Sequence, residues 1–192
     1  AQPMRRAYSL QLAMLFVVLA LSVSAQTPPK DIADIYAEGK VSGNVYKNDY
    51  FGVTLTLESG AFMKGGFVST QGKRARLIDA GSNATNWQDK FDIAILADLL
   101  AANPLIRSAQ QYARSVRHQF EKEGMETIQE ETPVKVSGVP FIEVVLKVKD
   151  SGPGHYHAFY TAFRNGYILS LDVSAATPER ITQLVSKSVK IM

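Results

Sequence analysis

The chain has 192 residues, 46% of them hydrophobic, with 21 Lys and Arg against 18 Asp and Glu and no cysteine. That length is ample for one hydrophobic core, and the missing thiols exclude a disulfide framework, a cysteine nucleophile and a thiolate-ligated metal. A formal charge of +3 is too slight to argue for nucleic acid as a partner.

Arg5 and Arg6 precede an apolar run from Leu10 to Val23 that closes on the small residues Ser24 and Ala25. A basic start, a hydrophobic stretch and small residues at its end predict a signal peptide over residues 1–25, cleaved after Ala25. Residues 1–3 then lie ahead of Met4, the expected start. A membrane-spanning helix needs roughly 20 apolar residues. This run is shorter and contains Gln11, so an uncleaved anchor is the alternative reading. Cleavage would remove two cations and no acid, leaving 19 Lys and Arg against 18 acidic residues. The mature protein is expected to be extracytoplasmic, periplasmic or secreted, without stable membrane insertion.

Residues 26–41 are polar and carry at most a helical turn within 31–39; they read as a flexible segment ahead of a single domain over 42–192. Val45-Tyr46 and the alternating Val53, Leu55 and Leu57 predict two short strands. Gln71-Gly72 between 67–70 and 75–80 reads as a hairpin, with Lys73-Arg74-Ala75-Arg76 as its solvated tip. Residues 91–98 read as a strand, ended by Asn103-Pro104. Ser108 then caps a helix, with Gln111 as the reciprocal half of a capping box. Ala109, Tyr112, Ala113, Val116 and Phe120 form its apolar stripe, Gly124 its stop, and Arg114, Arg117, His118 and Lys122 its other faces. Strands follow at 125–132, 141–149, 155–164 and 167–174. Asn165-Gly166 is the strongest turn signal, because both residues accept positive φ. Thr177-Pro178 opens a last helix whose stripe is Ile181, Leu184, Val185 and Val189. The pattern predicts an α+β fold, a mostly antiparallel sheet covered by helices.

Two segments carry a family resemblance. Tyr46-Lys47-Asn48-Asp49-Tyr50-Phe51-Gly52-Val53-Thr54-Leu55 resembles the opening of the PsbP-like family. Tyr160-Thr161-Ala162-Phe163-Arg164-Asn165-Gly166-Tyr167-Ile168-Leu169 is similar to that family's last hairpin before its final helix. The chain departs from the family at Ser59-Gly60-Ala61-Phe62, where a proline and tryptophan are usual. The resemblance implies an α-β-α sandwich and a non-catalytic binding or accessory role, with no specific partner, since one fold serves many functions.

One constellation points to metal chemistry. His155 and His157 lie two apart on a strand and share a face. The Asn165-Gly166 turn sets His157 opposite Ser174 and Phe159 opposite Asp172, so Asp172 falls diagonal to His157. Two imidazoles and a carboxylate can hold zinc with an open position. The simpler reading is a partly wet face, which would also carry Thr161 and Ser170. The other face, with Ala158, Tyr160, Ala162, Leu169, Leu171 and Val173, reads as core. No Gly-x-Ser-x-Gly, His-Glu-x-x-His or Walker motif is present, so nothing argues for catalysis. The expected function is an exported, non-catalytic domain that binds a protein or small ligand by its surface or a groove, without a cofactor. The alternative is a metal-binding protein or metal-dependent enzyme using His155, His157 and Asp172 with zinc or another divalent metal.

Overall fold

The structure, a computed structural model, describes residues 29–149 and 154–192. The expected signal peptide and most of the turn at 151–154 lie outside the described residues. The described chain begins with helix α1 (Ile32–Ala37) and strands β1 (Lys40–Ser42), β2 (Val45–Asn48), β3 (Val53–Thr56), β4 (Ala61–Val68), β5 (Arg74–Ser82) and β6 (Phe91–Leu99). Helix α2 (Ala109–Lys122) leads into strands β7 (Met125–Val136), β8 (Val139–Val148), β9 (Tyr156–Arg164) and β10 (Tyr167–Ala175). Helix α3 (Pro178–Ser188) and strand β11 (Val189–Ile191) close the series. The strands form a seven-stranded sheet, ordered β4-β5-β6-β10-β9-β8-β7, and a four-stranded one, ordered β1-β2-β3-β11, both antiparallel.

Local chemistry sets the elements. Asn165 and Gly166 take φ of 52° and 81°, the positive values of a two-residue hairpin turn, and lock β9 against β10 from Arg164↔Tyr167 to Tyr156↔Ala175. Ser108 Oγ accepts from the Gln111 amide at 3.1 Å and starts α2. Gln111 does not close the reciprocal box; its Oε1 accepts from the Arg107 amide at 2.8 Å. Thr177 Oγ1 accepts from the Arg180 amide at 3.2 Å, with Pro178 at the first helical position of α3.

The two faces of the large sheet are covered differently. Ala158, Tyr160, Ala162, Leu169, Leu171 and Val173 are all buried on the inner face, as their alternation predicts. Against them pack α1, α3 and the small sheet, with Ile32, Ile35, Tyr46, Leu55 and Ile181 in the same core. On the outer face lies α2, over β7, β8 and β9. The result is an α+β domain of three layers.

Four sequence readings are corrected here. Residues 29–41 do not stand outside the domain, because Ile32 and Ile35 bury in its core at 2% and 0% exposure. Val189 is not a helix-stripe residue but opens β11, opposite Leu55. The basic stretch at 73–76 is not a free tip: Ala75 is fully buried, Arg74 pairs with Asp98 and Arg76 pairs with Asp79 at 2.6 Å. Arg117 is not solvated decoration either. It is 9% exposed, with Nε donating to Glu131 Oε1 and Nη1 to Glu121 Oε1, both at 2.8 Å. A guanidinium reaching back across the helix edge to a strand carboxylate fits a polar stripe position as well as solvent does.

Candidate functional site

Register places the site. Because the ladder is continuous, residues from successive strands line up in rows across the outer face of the large sheet. One row runs Phe62, Gly81, Asp92, Ser174, His157, Leu146. The next runs Lys64, Asp79, Ala94, Asp172, Phe159, Val144. At the β8 and β9 end the rows are apolar and lie beneath α2: Phe159 packs with Tyr112 and Phe120, and Val144 and Leu146 with Ala113. At the β4, β5 and β6 end no helix among the described residues lies on this face, and the rows turn polar.

Between these ends lies an open cleft of about 250 Å³, lined among others by Phe62, Arg76, Asp79, Asp92, His155, His157, Asp172 and Ser174. Its depth comes from small side chains at the centre of the two rows. A Cβ added to Gly81 would stand 2.6 Å from Asp92 Oδ1, 2.7 Å from the Phe91 carbonyl oxygen and 2.9 Å from the Phe62 ring. Glycine at 81 is therefore what lets the Asp92 carboxylate and the Phe62 ring meet over the strand. Ala94 and Ser174, 3% and 4% exposed, form the floor.

With its proton on Nδ1, His157 donates to Asp172 Oδ1 at 3.4 Å, which turns Nε2 outward as an acceptor. The His155 ring stands edge-on to it, centroids 5.1 Å apart, and Phe120 backs it at 6.4 Å. Burial, and then the neighbouring His157, hold the His155 imidazole below its ordinary value, with Asp92 pulling the other way. Arg76 is tied to Asp79. Two groups are left without a partner among the described residues: the Asp92 carboxylate makes no ion pair or side-chain hydrogen bond, and the Ser174 hydroxyl makes no hydrogen bond.

The sequence-predicted trio is brought together in part. His155 and His157 are neighbours, and the placement of His157 opposite Ser174 and of Asp172 opposite Phe159 holds. Asp172, however, braces His157. Among the described residues, no three His, Asp or Glu side chains converge so as to hold a metal ion. Nor is the shared face merely wet at its middle, where Thr161 and Ser170 are fully buried. Sequence reasoning missed Phe62, Asp79 and Asp92 because they reach the cleft only through the pairing of β6 with β10, and no local turn signal encodes that pairing.

Two further polar clusters anchor α2. Tyr112 Oη donates to Asp98 Oδ2 at 2.7 Å while Arg74 pairs with the other oxygen. Burial, then Asp98, push the Tyr112 phenol far up. At the other end Glu131, its side chain 4% exposed, receives both Arg117 and Arg114. Both clusters are internally satisfied, so they brace the helix on the sheet. No helix among the described residues is long and apolar enough to cross a membrane.

No family model and no curated protein sequence matches the chain. Among solved structures it is similar to the cyanobacterial PsbP (CyanoP) of Synechocystis, with a TM-score of 0.51 and 11% identity, over 79% of this chain and 95% of that one. A weaker likeness links it to LpqN of Mycobacterium tuberculosis, involved in cell envelope biogenesis, at a TM-score of 0.45 and 12% identity over 86% and 99% of the two chains. Another links it to a Bacteroides thetaiotaomicron protein, at 0.40 and 8% over 73% and 45%. The first of these shows a PsbP-like fold.

Proposed function

We propose that the chain is an exported, non-catalytic binding domain whose ligand seat is the open half of the large sheet's outer face. One observation carries this reading: α2 covers the β7–β9 half of that face, and the β4–β6 half keeps a cleft of about 250 Å³ with unpartnered polar groups. Ligand sites are concave, with a few polar groups set among apolar walls, and the cleft has that make-up. Asp172 braces His157, but among the described residues the Ser174 hydroxyl beside it makes no hydrogen bond to the imidazole, so no nucleophile is engaged by a base. Export rests on the signal-like residues 1–25.

A panel of small metabolites and divalent cations, screened by thermal shift on the mature chain, tests it. Ligands are expected to raise the melting temperature of the native protein and to lose that effect in Ser174→Phe, which fills the floor. The reading is rejected if the filled variant responds like the native protein, or if a bound compound is turned over. Zinc belongs in the panel as the metal alternative: a shift lost in His157→Ala but kept in Ser174→Phe would favour it.

A further inference from the structure

We propose that the cleft takes a small organic ammonium ion, a primary amine seated between Asp92, Ser174 and the free oxygen of Asp172. This rests on the binding role proposed above and names its ligand class.

The first support is charge. The cleft and its rim carry the carboxylates of Asp79, Asp92 and Asp172 against the cations Arg76 and Lys64, an acidic excess of one before the imidazoles are counted. Asp79 already neutralises Arg76. The carboxylates left to recognise a ligand are Asp92, without a partner among the described residues, and Asp172, which gives His157 only one oxygen. An ammonium has three donors and no acceptor. It therefore fits the Asp92 carboxylate and the Asp172 oxygen that His157 leaves open.

The second support is independent of the acids. Ser174 is 4% exposed and lines the cleft, and its hydroxyl finds no partner among the described residues. The side chain is almost wholly enclosed and its hydroxyl opens on the cleft, so a ligand atom there would meet a hydrogen-bonding group that no other described residue engages. Ser174 sits between Asp92 and His157 in one row of the sheet, which places hydroxyl, carboxylate and outward imidazole nitrogen around one point. An aromatic wall completes the seat. Phe62 already holds the Lys64 ammonium 5.1 Å from its ring centroid, a measure of how this ring attracts cations.

The titratable and charged groups facing the seat are Lys64 on β4, Arg76 and Asp79 on β5, Asp92 on β6, His155 and His157 at β9, and Asp172 on β10. His155, held low by burial, is neutral at neutral pH and leaves the seat acidic there.

Calorimetric titration of the mature protein with cadaverine, pentanediol and glutarate tests the inference, since the three share a carbon skeleton and differ in charge. Cadaverine alone should bind. Asp92→Asn, at an exposed position that leaves folding intact, should weaken it about tenfold. Lys64→Met should tighten it, because a competing cation is removed. Failure of cadaverine to bind overturns the inference, as does weaker binding in Lys64→Met. Equal or tighter binding of pentanediol or glutarate, abolished by Ser174→Phe, would overturn the ammonium while leaving the cleft a binding site. Cadaverine binding unchanged in Ser174→Phe would sink both proposals.

Discussion

Beneath α2 the outer face of the large sheet carries Val144, Leu146 and Phe159; two to five strands away, in the same rows, it carries Gly81, Asp79, Asp92 and Phe62. The backbone is the same in both halves, and the inner face below is continuous core. What differs is side-chain size and polarity, and with it the question of whether a helix lies on top. One sheet is thereby divided into a half that holds the fold together and a half whose polar groups stabilise little on their own account. Substitutions in the covered half should register in stability, and those in the open half in binding.

The sharpest test sets one aromatic against another. Phe159→Ala removes a ring that is 7% exposed and packs on Tyr112 and Phe120, and should cost about 3 to 5 kcal/mol. Phe67→Ala, in the open half at 57% exposure, should cost less than about 0.5 kcal/mol. Chemical denaturation of both variants checks the pair. Equal losses would erase the distinction between the halves.

Next comes the clasp at the far edge of the covered half. Glu131→Gln leaves the Arg117 guanidinium, 9% exposed, with Glu121 as its one carboxylate partner, and should cost about 2 kcal/mol. Burial pushes the Glu131 carboxyl up, but Arg117 and then Arg114 outweigh it and hold the group below its ordinary value of 4.5. Glu121 is drawn down to about 2 by Thr127, His118 and Arg117. Groups depressed in the folded state stabilise it above their unfolded pKa and lose that effect as pH falls through the folded one. The melting temperature should therefore drop as pH falls from about 4.5 towards 2, and the drop should be shallower in Glu131→Gln. An acid limb identical in the two proteins would show that this pair does not govern it.

Tyr112→Phe is expected to have a smaller effect. It removes the 2.7 Å bond to Asp98 but leaves Arg74 on the other carboxylate oxygen, for a loss of about 1 to 2 kcal/mol. Arg114→Ala should change stability least, by about 0.5 kcal/mol, because that side chain is 56% exposed and shares Glu131 with Arg117. A loss as large as that of Glu131→Gln would mean the two arginines are not redundant.

Sequence and structure agree where the signals are local. The Asn165-Gly166 turn fixes the β9–β10 register residue by residue, and with it the juxtaposition of His157, Ser174 and Asp172. Ser108 and Thr177 mark the starts of their helices by chemistry confined to one turn. The resemblance at Tyr46–Leu55 and Tyr160–Leu169 pointed to the PsbP-like fold that the solved structures also show. What stayed hidden depends on long-range pairing. Asp92 looked scattered because its neighbours across the sheet are Gly81 and Ser174, far away in the chain. Arg117 looked solvated because its partner Glu131 lies on β7, beyond the helix stop. Val189 looked helical because its alternation with Ile191 spans three residues, too few to show a period.

Strand β11 also has a kinetic consequence. Val189, Lys190 and Ile191 pair with Leu55, Thr54 and Val53, and the Met192 amide donates to the Gly52 carbonyl at 3.0 Å. In any process that delivers the chain from its amino end, β3 emerges long before the strand that covers its free edge. The small sheet can be completed only once residues 189–191 have been delivered, and so distant a closure is slow and gains nothing until its contacts form. Until then the edge of β3 is open to pairing with another chain. The last short strand therefore acts as a latch, and the interval before it closes is when this protein is most prone to misassembly.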